Sequence, residues 1–268
     1  MAKTVDLYDS SYGNYELEAY RQVRTETYGE DLGQTSWVTA EESTEIPELL
    51  GLNSTSVVLE IGSGSGRYAL RIAERVGCQI VGVDINPHGI RNSTQLAEKM
   101  NLGSLARFQP CDVSQPLPFG DSSFNAVFSN DVICHIQDRR QVLTEVFRIL
   151  RPGGHFLFSD ALVIGGMISD KEIAIRSSIG NYVFSPQGEN ERLLAAAGFT
   201  LVSARDTTDQ AMNISKRRFD ARLKRKAELV ASEGEANFEG QQHFLECVHN
   251  LTSEKRLLRF VYLTRKDS

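Results

Sequence analysis

Three glycines that alternate with serine follow a short apolar run and precede a helical pattern. The segment reads Glu60-Ile61-Gly62-Ser63-Gly64-Ser65-Gly66. Glycine lets a chain turn tightly and lets a ligand approach the backbone, and the amino end of a helix leaves amide donors exposed. A pyrophosphate-binding loop prefers glycine two residues on and then three more, whereas here the third glycine follows after one residue. The spacing therefore indicates a ligand-binding loop and argues against a nicotinamide cofactor.

Two aspartates follow at the ends of the next two predicted strands. Asp84 ends the second strand, where a carboxylate can accept hydrogen bonds from both ribose hydroxyls of a nucleoside. Asp112 ends the third strand, where it can accept from an adenine amine, with apolar Ile85 and Val113 flanking the ring. Each aspartate alone could equally be a turn residue at a strand end. Together with the glycine loop, they predict a nucleoside site.

The elements that must position these residues alternate between short β-rich runs and helical patterns. This alternation predicts an α/β fold in which helices cover both faces of a parallel sheet. Ligands of open α/β sheets bind beyond the carboxyl ends of the strands, so helices inserted late in the chain can roof the site. Strands are predicted at 57–61, 79–84, 105–109, 125–129, 155–158, 199–203 and 258–263, and helical patterns at 67–76, 87–101, 139–150, 170–178, 189–197 and 211–251.

The composition is that of a soluble globular protein, with 268 residues of which 41% are hydrophobic and 24% charged. A net charge of −6 argues against a general affinity for nucleic acid, and the basic stretch at 216–226 is interpreted as a solvated helix face. No eighteen apolar residues run together, and the opening Met1-Ala2-Lys3-Thr4 lacks the pattern of a signal peptide. We therefore expect a cytoplasmic protein that does not bind membranes. Four widely separated cysteines predict reduced thiols and no metal site.

These motifs resemble those of the class I S-adenosylmethionine-dependent methyltransferases, from about Trp37 to the final strand. The glycine loop resembles the family's first motif, Asp84 its ribose acid and Asp112 its adenine acid, and Leu150-Arg151-Pro152-Gly153-Gly154 is equally typical. The resemblance implies a Rossmann-like, seven-stranded sheet with a reversed last strand and a helical lid. It divides the chain into a lid segment at 1–50, a cofactor-binding core at 51–165, and further strands with inserted cap helices at 166–268.

The same resemblance implies that S-adenosyl-L-methionine is the cofactor. Trp37 and Thr39 resemble the stretch that closes over its carboxylate, and Asp131 would lie near its methionine portion. The predicted cofactor-binding residues are Trp37, Thr39, Glu60, Gly62, Ser63, Gly64, Gly66, Asp84, Ile85, Asp112, Val113, Asn130 and Asp131.

Residues 130–136 are most similar to small-amine enzymes of the sarcosine and dimethylglycine or phosphoethanolamine N-methyltransferase type. There the matching histidine faces the methyl donor, which implies that His135 is a base or an orienting group. The alternative is a polar residue that caps the loop after the fourth strand. In the phosphoethanolamine enzymes a lid tyrosine pairs with this histidine, and Tyr15 is the nearest match by spacing, with Tyr12 and Tyr20 as alternatives.

The segment at 176–184 lies where lid residues contact the substrate in these relatives. The arginine expected for a phosphate cradle does not fall in register, because Ile179 takes about that place. We therefore do not expect a phosphorylated acceptor.

These observations predict methyl transfer to a small molecule, with an amine nitrogen preferred and a hydroxyl or carbon centre as the alternative. An amine must be unprotonated to react, and a histidine with a pKa near neutrality could accept its proton. The protein is expected to act as a monomer or homodimer. A nicotinamide-dependent oxidoreductase and a non-catalytic S-adenosylmethionine-binding module also stay open. Absorbance of the bound cofactor tests the former, and product turnover tests the latter.

Overall fold

A sheet of eight strands forms the centre of the computed structural model, which describes residues 5–267. The opening Met1-Ala2-Lys3-Thr4 stretch, on which the argument against a signal peptide rests, lies outside the described residues. The strands are β1 Val57–Ile61, β2 Gln79–Asp84, β3 Ala106–Pro110, β4 Phe124–Ser129, β5 Leu150–Ile164, β6 Ser185–Pro186, β7 Thr200–Asp206 and β8 Leu257–Arg265.

The strand order is β3-β2-β1-β4-β5-β8-β7, and β6 pairs with the end of β5. Only β8 is reversed, since it runs antiparallel to both β5 and β7 while the other paired strands are parallel. The predicted α/β class and the reversed last strand are confirmed. The described sheet holds one strand more than the seven predicted, the two-residue β6.

The central strands are apolar on both faces because helices cover the sheet on each side. In β1, the side chains of Val58, Leu59 and Ile61 are completely buried. β7, at one edge of the sheet, is exposed at every position. The carboxyl ends of β1, β2 and β4 therefore meet at the middle of the sheet, where a site can be enclosed.

The described helices agree closely with the helical patterns of the sequence. Asn86, for example, caps the fifth helix through its side chain, and Pro87 takes the first helical position. No helix within residues 5–267 combines the length and the apolar character needed to cross a membrane. The helices are α1 Tyr8–Gly13, α2 Glu18–Tyr28, α3 Ala40–Leu49, α4 Arg67–Val76, α5 Pro87–Lys99, α6 Arg139–Ile149, α7 Asp170–Arg176, α8 Glu189–Ala196, α9 Thr208–Lys224, α10 Lys226–Glu233 and α11 Glu235–Ser253.

Strand β5 is longer than the predicted 155–158. Its first residue, Leu150, pairs with Phe124 of β4 before a register shift, and its last residues pair with both β6 and β8. Helix α6 ends at Ile149, one residue before the predicted helical pattern at 139–150 ends. The chain then enters the strand directly, because neighbouring strands on both sides supply hydrogen-bond partners.

Helices from the two ends of the chain pack together into what we call the helical cap, formed by α1, α2, α9, α10 and α11. Tyr20 of α2 donates a hydrogen bond to Glu233 at 2.6 Å, and Glu233 also forms a buried ion pair with Arg222 of α9. The division of the chain at residues 50 and 165 stays a prediction. The apolar contact within the cap is made by Ala19, Tyr20, Val23, Ala221, Leu229 and Phe238.

Candidate active site

A cavity of about 860 Å³ opens at the carboxyl ends of β1, β2 and β4, beneath the helical cap. Its size falls within the range of about 300 to 1,000 Å³ that is usual for small-molecule sites. Most of the residues predicted from the sequence line it. These are Trp37, Gly62, Ser63, Gly64, Asp84, Ile85, Asp112, Val113, Asn130, Asp131 and His135.

The loop between β1 and α4 has no room for side chains at two of its glycines. Gly62 and Gly64 have φ angles of 76° and 49°, in the left-handed region that glycine adopts without strain. A Cβ atom on Gly62 would collide with Val132, and one on Gly64 would collide with the hydroxyl of Tyr12. Backbone conformation and close packing together therefore require glycine at both positions.

Buried polar atoms near this loop lack hydrogen-bond partners within the described residues. They are both carboxyl oxygens of Glu60, the hydroxyl of Ser63 and the side-chain nitrogen of Asn130. Such an atom costs about 1–3 kcal/mol when left unpaired, so the cluster indicates a polar ligand. Burial, and then the nearby Asp84 charge, raise the pKa of Glu60 well above its usual value. Glu60 itself lies outside the cavity lining.

Asp84 and Asp112 lie at the end of the cavity where a nucleoside was predicted. The Asp84 carboxylate accepts hydrogen bonds from the amides of Gly64 and Asn86, each at 2.7 Å. Burial raises the pKa of Asp84, and these amides oppose the rise. Ile85 is 72% exposed and also lines the cavity, where it adds an apolar surface to that of the two carboxylates. This arrangement suits a flat ring with polar edges.

Asp131 lines the cavity, but its carboxylate is already engaged by the protein. Its Oδ1 atom accepts from the hydroxyl of Ser159 at 2.8 Å and from Nε of Arg259 at 3.0 Å. Its Oδ2 atom accepts from the amide of Trp37 at 2.8 Å. The completely buried Arg259 also binds Glu42 at 2.9 Å. Asp131, which follows β4, thus connects the segment before α3 to β5 and β8.

His135 lies in a single 3₁₀ turn, Ile133–His135, that follows β4. Its Nδ1 atom is 3.0 Å from the carbonyl oxygen of Asn181, which can only accept, so Nδ1 carries the proton. In the neutral ring Nε2 is then an acceptor, and the hydroxyl of Tyr8 donates to it at 2.9 Å. Burial lowers the pKa of His135 to about 4, so the ring is neutral at neutral pH.

Tyr8 therefore takes the place beside His135 that spacing assigned to Tyr15. The hydroxyl of Tyr15 accepts from Nε of Arg67 at 2.8 Å, and its ring lies 4.5 Å from the guanidinium of Arg24. The alternatives also point elsewhere, since the hydroxyl of Tyr12 lies 3.1 Å from that of Thr35, and Tyr20 binds Glu233. The orientation of each tyrosine is set by how α1 and α2 pack under the cap, which spacing along the chain does not reveal.

Two further predicted cofactor residues lie outside the cavity. The side chain of Thr39 accepts from the amide of Glu42 and so caps α3. A Cβ on Gly66 would lie 2.6 Å from Ser93, so glycine is needed there for α4 to pack on α5. That Thr39 and Gly66 contribute to cofactor binding stays a prediction.

Three residues at the His135 end of the cavity were not predicted as site residues. Arg176 ends α7, Tyr182 follows it, and Phe244 belongs to α11. The sequence offered one signal, a single arginine that begins a segment already assigned to substrate contact. Among the residues that the structure describes, no three His, Cys, Asp or Glu side chains are grouped so that they could hold a metal ion.

Residues 59–158 match a protein family described as a methyltransferase domain. Among curated proteins, the chain is similar to phosphoethanolamine N-methyltransferase 3 of Arabidopsis thaliana, with 29% identity over 199 residues. That match covers 74% of this chain and 40% of the relative. The 27-O-demethylrifamycin SV methyltransferase of Amycolatopsis mediterranei is 27% identical, with 71% of this chain and 74% of the relative covered. The chain thus spans about two fifths of its phosphoethanolamine relative.

Among solved structures, the fold is similar to phosphoethanolamine N-methyltransferase 2 of Haemonchus contortus in complex with phosphomonomethylethanolamine and S-adenosylhomocysteine. The TM-score is 0.81 and the identity 19%, over 97% of this chain and 60% of the other. This likeness confirms the predicted Rossmann-like fold, and the family match favours a methyltransferase over an oxidoreductase. Residues 59–158 therefore match a methyltransferase domain, and the chain has the fold of a solved methyltransferase.

Proposed function

We propose that the protein transfers a methyl group from S-adenosylmethionine to an amine nitrogen of a small molecule enclosed beneath the helical cap. One observation carries this proposal. A single cavity joins the glycine loop and the nucleoside-binding acids to the neutral His135–Tyr8 pair at its other end. The cofactor and the acceptor can therefore meet in one cavity beneath the helical cap.

The residues at the glycine-loop end fit S-adenosylmethionine. Asp84 would accept from the ribose hydroxyls and Asp112 from the adenine amine, while Ile85 would contact the ring. The unpaired polar atoms of Ser63 and Asn130 would bind the amino-acid portion. When bound, this cofactor supplies an electrophilic methyl group on a sulfonium sulfur.

His135 and Tyr8 would orient the acceptor. Methyl transfer from a sulfonium is an in-line displacement, so the protein must mainly align a free lone pair. With a pKa of about 4, His135 is a poor acceptor for the proton of an alkylammonium group. We infer that His135 holds the Tyr8 hydroxyl, whose oxygen accepts from the N–H of an amine that binds unprotonated. This replaces the expectation of a near-neutral histidine that takes the proton.

The pH dependence of catalysis follows from this assignment. Between about pH 6 and 8, kcat/KM should show no ionisation of His135, because its pKa lies well below that range. Below about pH 5, protonation of Nε2 would remove the acceptor for the Tyr8 hydroxyl, so activity should fall. The measurement is kcat/KM against pH for the wild type and His135→Asn, with an acceptor amine of known pKa. An acid limb near pH 6.5 that disappears in the variant would contradict the assignment.

Cofactor binding supplies the direct test of the nucleoside site. Asp84→Ala should weaken S-adenosylmethionine binding by about 10- to 100-fold, because hydrogen bonds from the ribose to a charged group are lost. Asp121→Ala is a matched control, since the side chain of Asp121 is 79% exposed and pairs with Arg148 outside the cavity. Calorimetry measures both affinities. Equal affinity in the Asp84 variant and the wild type would argue against this nucleoside site.

Methyl transfer itself is tested with labelled S-adenosylmethionine and a panel of amines, phenols and short amino acids. Product from an amine supports the proposal. Product from phenols alone would favour the second candidate, an O-methyltransferase, which the similarity to the rifamycin enzyme also makes reasonable. Tight cofactor binding with no product from any acceptor would favour a non-catalytic binding module, and absence of binding would overturn the proposal.

The partner, the cellular location and the assembly of the protein are part of the same proposal. The net charge of −6 supports a small-molecule partner over nucleic acid, and four free thiols support a reducing, cytoplasmic location. A monomer or homodimer is proposed for its assembly. Light scattering of the purified chain, with and without cofactor, measures that state.

A further inference from the structure

Arg176 is a buried cation that faces the acceptor end of the cavity without an ionic partner. Its side chain is 1% exposed, and its Nε and Nη1 atoms have no hydrogen-bond partner within residues 5–267. Three other buried arginines form ion pairs, Arg139 with Asp160, Arg222 with Glu233 and Arg259 with Asp131. Buried Arg218 instead donates to the carbonyl of Thr35. The described part of the chain contains no ion pair of Arg176. Two unpartnered nitrogens on a buried guanidinium that lines the cavity indicate that Arg176 binds a ligand there.

Aromatic rings surround the Arg176 guanidinium but do not replace a counter-ion. Its central carbon lies 4.4 Å from the ring centre of Tyr182, 4.9 Å from that of Phe244 and 5.9 Å from that of Trp37. Cation–π contacts return less free energy than the burial of an isolated charge costs. The planar guanidinium fork matches the two oxygens of a carboxylate, and such charge-assisted hydrogen bonds are strong. An anion bound here would therefore form strong hydrogen bonds and would compensate the buried charge of Arg176.

The position of Arg176 relative to His135 limits the size of the ligand that could contact both residues. The ring of Tyr182 lies 4.4 Å from the Arg176 guanidinium and 4.2 Å from the ring of His135. The amide of Val183 donates to the carbonyl of Cys134, which fixes this segment against the turn that carries His135. Since one ring contacts both groups, the two ends of a short molecule can reach them together.

The charge of the lining limits the charge of the ligand. Of the described residues that line the cavity, Arg176 and Arg67 are the only lysines or arginines. Arg67 binds Tyr15 and lies beside the glycine loop, away from His135. One cation therefore faces the acceptor, which suits a single negative charge better than a doubly charged phosphate monoester.

We propose that Arg176 binds the carboxylate of the methyl acceptor, and that the acceptor is a short amino acid whose nitrogen lies at the Tyr8–His135 pair. This inference rests on the proposed methyl transfer and names its substrate class. The sequence suggested that no arginine was in register for an anion, because Ile179 stands at the expected place. The structure brings in Arg176 from three residues earlier, at the end of α7.

The test compares acceptors that differ in charge alone. Glycine, sarcosine and β-alanine are assayed beside their carboxamides, and ethanolamine beside its phosphate monoester. The wild type should have a lower KM for the carboxylates. Arg176→Met should raise the KM for carboxylates by about 10- to 100-fold and the KM for carboxamides by much less, since hydrogen bonds to a charged group are stronger than those to a neutral oxygen. Arg176→Lys retains the charge but lacks the guanidinium fork, so its KM for carboxylates should lie between those of the wild type and Arg176→Met.

Binding and stability measurements separate this inference from the methyl-transfer proposal. With S-adenosylhomocysteine present, a saturating carboxylate probe should raise the Tm of the wild type but not that of Arg176→Met. Without any probe, Arg176→Met should melt at or above the wild-type temperature, because an unpaired buried charge has been removed. Arg192→Met is the matched control, because the side chain of Arg192 is 58% exposed and pairs with Glu189 away from the cavity.

A carboxylate-dependent Tm shift that requires Arg176 would support the anion site even if no acceptor in the panel were methylated. If KM moves equally for carboxylates and carboxamides, and the Tm of Arg176→Met falls below that of the wild type, Arg176 is a structural residue and the proposal is overturned. A lower KM for phosphoethanolamine than for every carboxylate would overturn the assignment of a single negative charge.

Discussion

Replacing His135 by alanine is expected to lower turnover by about 100-fold or more while changing the affinity for S-adenosylmethionine by no more than about twofold. The ring links the carbonyl of Asn181 to the hydroxyl of Tyr8, so its loss leaves that hydroxyl without a fixed direction. Cofactor affinity should be retained because Asp84 and Asp112 lie at the other end of the cavity. Single-turnover rates with labelled cofactor and calorimetry measure the two quantities separately.

A matched pair of tyrosine variants identifies which hydroxyl takes part. Tyr8→Phe and Tyr15→Phe each remove one oxygen and keep the ring. Tyr8→Phe should lower turnover by about tenfold or more, since the group that contacts the acceptor is removed. Tyr15→Phe should act much like the wild type, because its hydroxyl binds Arg67. Unchanged turnover in His135→Ala, or a greater loss in Tyr15→Phe than in Tyr8→Phe, would refute the assigned roles.

Replacing Arg259 by methionine is expected to reduce the free energy of unfolding by about 3–5 kcal/mol, because a buried ion pair loses its cation. Arg259 is completely buried and binds both Asp131 and Glu42, whose carboxylates would remain in the interior without compensation. For a chain of this length the midpoint of thermal unfolding should fall by about 10 °C. Circular dichroism followed during heating at neutral pH measures the change.

A second arginine in the same strand supplies the control. Arg265 and its partner Asp267 have side chains that are 50% and 54% exposed, so Arg265→Met should change stability by less than about 1 kcal/mol. Arg259→Met should also weaken cofactor binding, since Asp131 orients the amide of Trp37 at the cavity wall. Equal unfolding midpoints for the two arginine variants would show that the buried cluster does not stabilise the fold as argued.

The glycine-loop end of the cavity could be predicted from the sequence because its parts are local. The apolar run at β1, the glycines after it and the start of α4 are adjacent along the chain, and the structure places them as predicted. Asp84 ends β2, and β2 pairs in parallel with β1, so the acid necessarily lies at the same edge as the glycine loop. Hydrophobic period and motif spacing suffice to predict such features, since a parallel sheet aligns the ends of its strands.

The acceptor end could not be predicted in the same way. Tyr8 and His135 are 127 residues apart, and four other tyrosines precede Trp37 with comparable spacing. Arg176 was passed over because the expected arginine position, counted along the sequence, falls on Ile179. A helix end can direct a side chain to either side, and the packing of α7 against α11 decides which side faces the cavity.

The sequence by itself thus determined the α/β sheet, the glycine loop and the two strand-end acids, because these follow from hydrophobic period and backbone conformation. The reversed last strand was implied by the family resemblance. Only the tertiary structure decided that Tyr8 meets His135, that Asp131 is bound by Arg259, and that Arg176 faces the cavity without an ionic partner among the described residues. These contacts join residues far apart in the chain. Their geometry depends on how the helical cap packs on the sheet, which no local pattern encodes.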